Sequence, residues 1–141
     1  MRYHETVVTV RFNEIDAYQV AWHGHYVAWM EIGRNELARL FGMAADQLAE
    51  AGFLGPVVAL ELKYLRPARF NDQLTVKTTV KRNETPTIEF RTVIIGQDGA
   101  PCARGVTVHA LTDMQGVTQY RLPATVAERV EKMLAWAEGG E

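Results

Sequence analysis

Two side chains with the makings of a catalytic pair stand seven residues apart near the start of the chain, Asp16 and His23. Asp16 follows a short apolar stretch through a polar turn, and His23 directly precedes a long, mostly apolar segment with helical spacing. The start of a helix carries backbone N–H groups without intrahelical partners and a partial positive charge. A carboxylate beside such a terminus can attack a carbonyl, and the terminus can hold the oxyanion that forms. Asp is also a common turn former, so the residue type alone does not settle the role of Asp16.

The elements that must position this pair follow from periodicity. Residues 7–12 alternate as a strand, with Val8, Val10 and Phe12 on one side and Thr9 and Arg11 on the other. From 26 to 41, Val27, Met30, Leu37, Ala38 and Phe41 recur at helical spacing, and Trp29, Ile32 and Leu40 widen the stripe, which predicts a buried helix closed by Gly42. Residues 46–51 form one short helix. Alternation then predicts strands around Val58–Leu60–Leu62–Tyr64, Leu74–Val76–Val80, Ile88–Phe90–Ile94 and Val106–Val108–Ala110. The breaks at 69–73, 83–86 and 96–101 are rich in turn residues, and Asp98-Gly99 is a hairpin signal. Residues 122–136 read as a terminal amphipathic helix with Pro123 near its first turn. The resulting order is a strand, a long helix and four antiparallel strands. One sheet wrapped around one apolar helix buries that helix, and self-association protects the sheet edges and covers its other face.

With 141 residues, 48% of them apolar and 23% charged, the chain is expected to form a single α+β domain over 1–141. A formal charge of −2 gives no sign of nucleic-acid binding. The lone Cys102 cannot form an intrachain disulfide and fits a reducing compartment. No stretch approaches the ~18 apolar residues of a membrane span, and the N-terminal residues lack the plan of a signal peptide. A cytoplasmic protein is expected. The four histidines have no metal-ligand spacing, so neither a metal nor a redox cofactor is called for.

Three stretches carry a family resemblance: Phe12-Asn13-Glu14-Ile15-Asp16-Ala17, Val20-Ala21-Trp22-His23-Gly24-His25-Tyr26 and Glu31-Ile32-Gly33-Arg34. Together they resemble the hot-dog-fold acyl-CoA thioesterases of the 4-hydroxybenzoyl-CoA thioesterase type. The segment Tyr64-Leu65-Arg66-Pro67-Ala68-Arg69-Phe70-Asn71-Asp72-Gln73-Leu74 is similar to that family's second recognisable stretch. The resemblance implies an antiparallel sheet wrapped around a long central helix. It also implies a homodimer joined sheet edge to sheet edge, often a homotetramer, with active sites shared between subunits.

By that resemblance Asp16 takes the place of the catalytic aspartate, either as nucleophile through a mixed anhydride or as the base that activates water. His23 matches a histidine that positions the thioester or water and lends its backbone N–H to the oxyanion. Tyr26 and Trp29 could line an acyl pocket, although core packing is the commoner use of aromatics at helical spacing. Glu31, an i, i+3 neighbour of Arg34, is the reserve carboxylate, because another hot-dog lineage places its catalytic carboxylate on the central helix. Lys81 and Arg82, with Arg66 and Arg69, are the cations available for CoA phosphates. The sequence departs from the family pattern at Tyr18 and Gln19, where many relatives carry small residues. The substrate expected is acyl-CoA. The alternatives are an acyl-carrier-protein thioesterase, a non-catalytic acyl-thioester binder and a hydratase, the last lacking its Asn-Pro turn between Ala17 and Trp22.

Overall fold

The structure, a computed structural model, describes residues 1–139. The chain runs β1 (His4–Thr9), α1 (His25–Leu40), α2 (Ala45–Glu50), β2 (Phe53–Leu54), β3 (Val57–Tyr64), β4 (Gln73–Lys81), β5 (Ile88–Ile95), β6 (Pro101–His109), β7 (Thr112–Asp113) and α3 (Ala124–Glu138). Five strands form one antiparallel sheet in the order β1-β4-β5-β6-β3, and β2 pairs with β7 apart from it. The sheet curls around α1, the α+β arrangement that the hot-dog resemblance implies.

The inward face of the sheet is apolar where α1 crosses it. Leu74 and Val76 of β4, Ile94 of β5 and Ala103 of β6 are buried under Tyr26, Trp29 and Met30 of α1. Burying each large side chain contributes about 1.5–3 kcal/mol, which outweighs any surface contact of the helix and sets where it lies. A Cβ on Gly33 would stand 2.5 Å from Thr78 Oγ1 and 2.8 Å from Val76 Cγ1, so glycine lets α1 rest this close to β4. A second cluster unites the C-terminal half of α1 with α3, through Leu37, Ala38, Val126, Val130 and Met133. The Asp98-Gly99 turn closes β5 onto β6 as expected, with Gly99 at φ +86° and the Gly96 N–H donating to Ala100 O at 2.8 Å.

Three sequence expectations need correction. β1 ends at Thr9 rather than at residue 12, because the Glu14 carboxylate accepts the Arg11 N–H at 2.7 Å and folds Phe12–Glu14 into a 3₁₀ turn. Phe12 is thereby turned out to solvent. In β6 the period of two holds but the faces are exchanged. Gly105, Thr107 and His109 point inward, while Val106 and Val108 are only half-buried. The close approach of α1 decides the phase, since a Cβ on Gly105 would run into Met30. Finally, α1 is covered on one side only. Trp29 is buried, whereas Ile32 is 42% and Leu40 63% exposed, because a single sheet cannot enclose the whole helix. The apolar side chains Val58, Leu60 and Tyr64 of the edge strand β3 are likewise exposed.

Candidate active site

Asp16 sits in a tight turn between two short pieces of backbone pairing. Ile15 and Ala21 form a β-bridge, and the Asp16 N–H donates to Val20 O at 3.0 Å. The Gln19 N–H returns to Asp16 O at 3.0 Å, and the Tyr18 N–H donates to Asp16 Oδ1 at 2.8 Å. One carboxylate oxygen is thus tied to the turn, while Oδ2 makes no hydrogen bond to any described residue. Gln19 adopts φ +66°, the left-handed region that favours glycine, so the departure from small residues carries a local backbone cost. The Tyr18 ring turns out to solvent and still borders the cleft.

The turn is anchored from both sides. The Ala21 N–H donates to Ala68 O at 2.8 Å, and the Trp22 N–H donates to Glu14 O at 2.9 Å. Glu14 itself is buried. His23 follows, exposed, with its ring against Trp22 and Tyr64 at centroid distances of 5.0 and 6.3 Å. Its carbonyl accepts the Tyr64 hydroxyl at 2.7 Å. Helix α1 starts directly after, at Gly24, without a side-chain cap. The partial positive end of α1 therefore faces the loop that holds Asp16 and His23.

Tyr26 ties α1 to the segment after β3. Its hydroxyl accepts the Ala68 N–H at 3.0 Å, and burial pushes its pKa above the ordinary tyrosine value. Burial raises Tyr64 as well, so both phenols are protonated donors at neutral pH. Asp16, His23, Tyr26, Tyr64 and Arg66 line one open cleft of about 350 Å³.

The structure brings together three of the expected site residues, Asp16, His23 and Tyr26, and leaves three elsewhere. Trp29 lies in the core beneath Tyr26. Lys81 is level with Glu89, Val108 and Ala59, toward the start of β3, whereas the cleft lies at Tyr64, its end. Arg82 is clamped by Glu131 at 2.8 and 2.9 Å and by Glu138 at 2.9 and 3.0 Å, both on α3. Arg66 borders the cleft and pairs with Asp98 at 3.1 Å. Glu31 lines a different cleft, near the start of β3, with Arg34 and His109. Two residues had no role in the sequence reading. Tyr64 stood there only as a strand residue and as part of a resembling stretch, although a tyrosine hydroxyl needs a partner. His109 carried no motif, and its burial follows from the exchanged faces of β6.

Comparison with known proteins agrees with the fold. A family model described as the thioesterase-like superfamily matches residues 10–135. Over 134 residues the chain is 31% identical to "Putative esterase sll0410" of Synechocystis sp., which covers 94% of this chain and 81% of that protein. Over 91 residues it is 26% identical to "Acyl-CoA thioester hydrolase YbgC" of Escherichia coli O6:H1, covering 64% and 68%. The fold is similar to that of the DHNA-CoA thioesterase from Staphylococcus aureus, with a TM-score of 0.87 at 22% identity over 100% of this chain and 97% of that one.

Proposed function

This chain belongs to the thioesterase-like superfamily and is a thioester hydrolase, and we propose that it cleaves acyl-CoA to the free acid and CoA with Asp16 at the reacting carbon. The observation that carries this reading is the Asp16 carboxylate, with Oδ2 unpaired, in a cleft beside the start of α1. In one form of the reaction, an Asp16 oxygen bonds to the thioester carbonyl carbon, the C–S bond breaks and the thiolate takes a proton from solvent. Water then hydrolyses the mixed anhydride. In the other, Asp16 removes a proton from a water whose oxygen attacks the same carbon, the C–S bond breaks as the tetrahedral intermediate collapses, and the thiolate takes a proton from Asp16 or solvent. In both, negative charge develops on the carbonyl oxygen, where the first-turn N–H groups of α1 stabilise it. His23 borders the same space, and the Tyr64 bond to its carbonyl holds that residue against the helix start.

The protein acts as a homodimer or homotetramer. What supports a second copy is β3, an edge strand with an open ladder and exposed Val58, Leu60 and Tyr64. The CoA phosphates fall to Arg66 and Arg69 beside the cleft, since Arg82 is occupied by two carboxylates and Lys81 lies toward the other end of β3. Free-thiol release from a panel of acyl-CoA and acyl-carrier-protein thioesters tests the leaving group. Replacing Arg66 and Arg69 with Ala should raise KM for acyl-CoA and spare the matching acyl-pantetheine. Equal losses on both would remove the phosphate role and favour a carrier protein.

A further inference from the structure

We infer that Trp22 is a positioning residue for the reaction: its indole ring locks the two unpaired N–H groups of His23 and Gly24 in the orientation that receives the carbonyl oxygen. The inference rests on the reading of the α1 start as the place where that oxygen's charge is held.

The free donors come first. Around the start of α1 each carbonyl is engaged. Trp22 O accepts the His25 N–H at 3.0 Å, His23 O accepts the Tyr64 hydroxyl at 2.7 Å and Gly24 O accepts the Val27 N–H at 3.3 Å. The Trp22 N–H donates to Glu14 O at 2.9 Å. The N–H groups of His23 and Gly24 have no acceptor among the described residues. Two adjacent free donors, one of them on a residue that lines the Asp16 cleft, are what an oxyanion needs.

Their orientation is the weak point. Gly24 has helical angles, φ −69° and ψ −23°, that any residue adopts, yet glycine is the residue least held to them. A peptide unit beside it can turn, and a donor that turns no longer meets the oxyanion. Trp22 removes this freedom. A Cβ built on Gly24 would run into Cζ3 of the indole and stand 2.5 and 2.7 Å from Cη2 and Cε3, so the ring lies where a side chain would be. The ring is itself fixed between two imidazoles, with centroids 5.0 Å from that of His23 and 5.4 Å from that of His25. Glycine makes room for the ring, and the ring supplies the restraint that glycine lacks.

Other uses of this side chain do not fit. Trp29 shows a tryptophan that serves the core, 3% exposed, whereas Trp22 is 47% exposed and belongs to neither core cluster. Nor does Trp22 wall the Asp16 cleft, so it does not hold substrate. Its ring contacts are with Gly24 and the two flanking histidines.

The test uses two ketone analogues of acyl-CoA that cannot be hydrolysed. In one, CH2 replaces sulfur and the carbonyl stays neutral. In the other, CF2 replaces sulfur, and the electron-poor carbonyl carbon forms a C–O bond to Asp16 or to a water whose proton Asp16 takes. The carbonyl π pair then moves to oxygen, which becomes the oxyanion. Wild-type protein should bind the difluoro ketone on the order of 10²-fold more tightly than the plain ketone. Trp22→Ala should cut this preference by about tenfold and lower kcat by a similar factor, with binding of the plain ketone within about twofold of wild type. Trp22→Leu, a second variant in case the first misfolds, should do the same. Adding Gly24→Ala to Trp22→Ala restores backbone restraint in the space the ring has left, and should recover about two- to fivefold of the lost kcat. Equal binding of the two ketones by wild-type protein would overturn the reading of the α1 start itself. A wild-type preference that survives in both Trp22 variants, an equal loss of both ketones, or no recovery in the double variant would overturn the role of Trp22 and leave that reading standing.

Discussion

The two clefts at the ends of β3 are built to opposite plans. At Tyr64 the polar groups are backbone-rich and open to water: a turn carboxylate, a helix start and a carbonyl fixed by a phenol. At Val57 they are side chains of mixed burial, with His109 buried, Arg34 half-buried and Glu31 exposed. Attack on a carbonyl needs donors that are already aimed where charge develops, and backbone N–H groups on a rigid helix supply this. Of the two ends, the one at Tyr64 is suited to reaction.

The contrast can be broken most decisively at Asp16. Asp16→Asn should lower kcat on the order of 10²-fold or more with the fold intact by circular dichroism. Should Glu31→Gln collapse turnover while Asp16→Asn keeps more than about a tenth of it, the two ends exchange roles. Next in size is the seam. Leu60→Asp places a charge at the middle of β3 and, with β3 as the proposed seam, should yield monomers by light scattering and lower turnover by about tenfold or more. A dimer that persists through this change would put the interface elsewhere. Tyr64→Phe removes the hydrogen bond to His23 O, a loss of about 1 kcal/mol. Turnover should fall roughly fivefold with little change in melting temperature.

The smallest effect concerns pH. Burial, then repulsion from Arg34, holds His109 below its ordinary value of 6.5, while its bond to Gly55 O works the other way. The unfolded chain then binds the proton first as pH falls. The contribution of neutral His109 is complete above about 6.5 and is lost as pH drops toward its lower folded value. Melting temperature should therefore fall by a few degrees more between pH 7 and pH 5 in wild type than in His109→Gln. Equal slopes would mean that His109 takes its proton as readily in the fold as in the unfolded chain.

Local pattern made much of this legible. Periodicity placed α1, α3 and the four later strands within a few residues, because helix and strand spacing reflect which side chains must leave water. The Asp98-Gly99 turn and the stop after α1 were readable from residues that tolerate positive φ. The Asp16–His23 spacing before a helix start, together with the resembling stretches, located the cleft. Phase and partnership were not legible. Nothing in the alternation of Val106, Thr107, Val108 and His109 says which set faces in, and the answer depended on Gly105 lying under Met30. Likewise Arg82 looked available beside Lys81 until α3 brought Glu131 and Glu138 to it from about fifty residues away.

The chain's own order of residues determined which segments are helix and strand, and it placed a carboxylate just ahead of a helix start, since those depend on neighbours a few positions away. Only the tertiary structure decided that Tyr64 would hold His23, that Trp29 would serve the core and that Glu31 and Arg34 would stand beside His109 at the start of β3. Those pairings join residues dozens of positions apart, and they follow from how closely a helix can pack on a sheet.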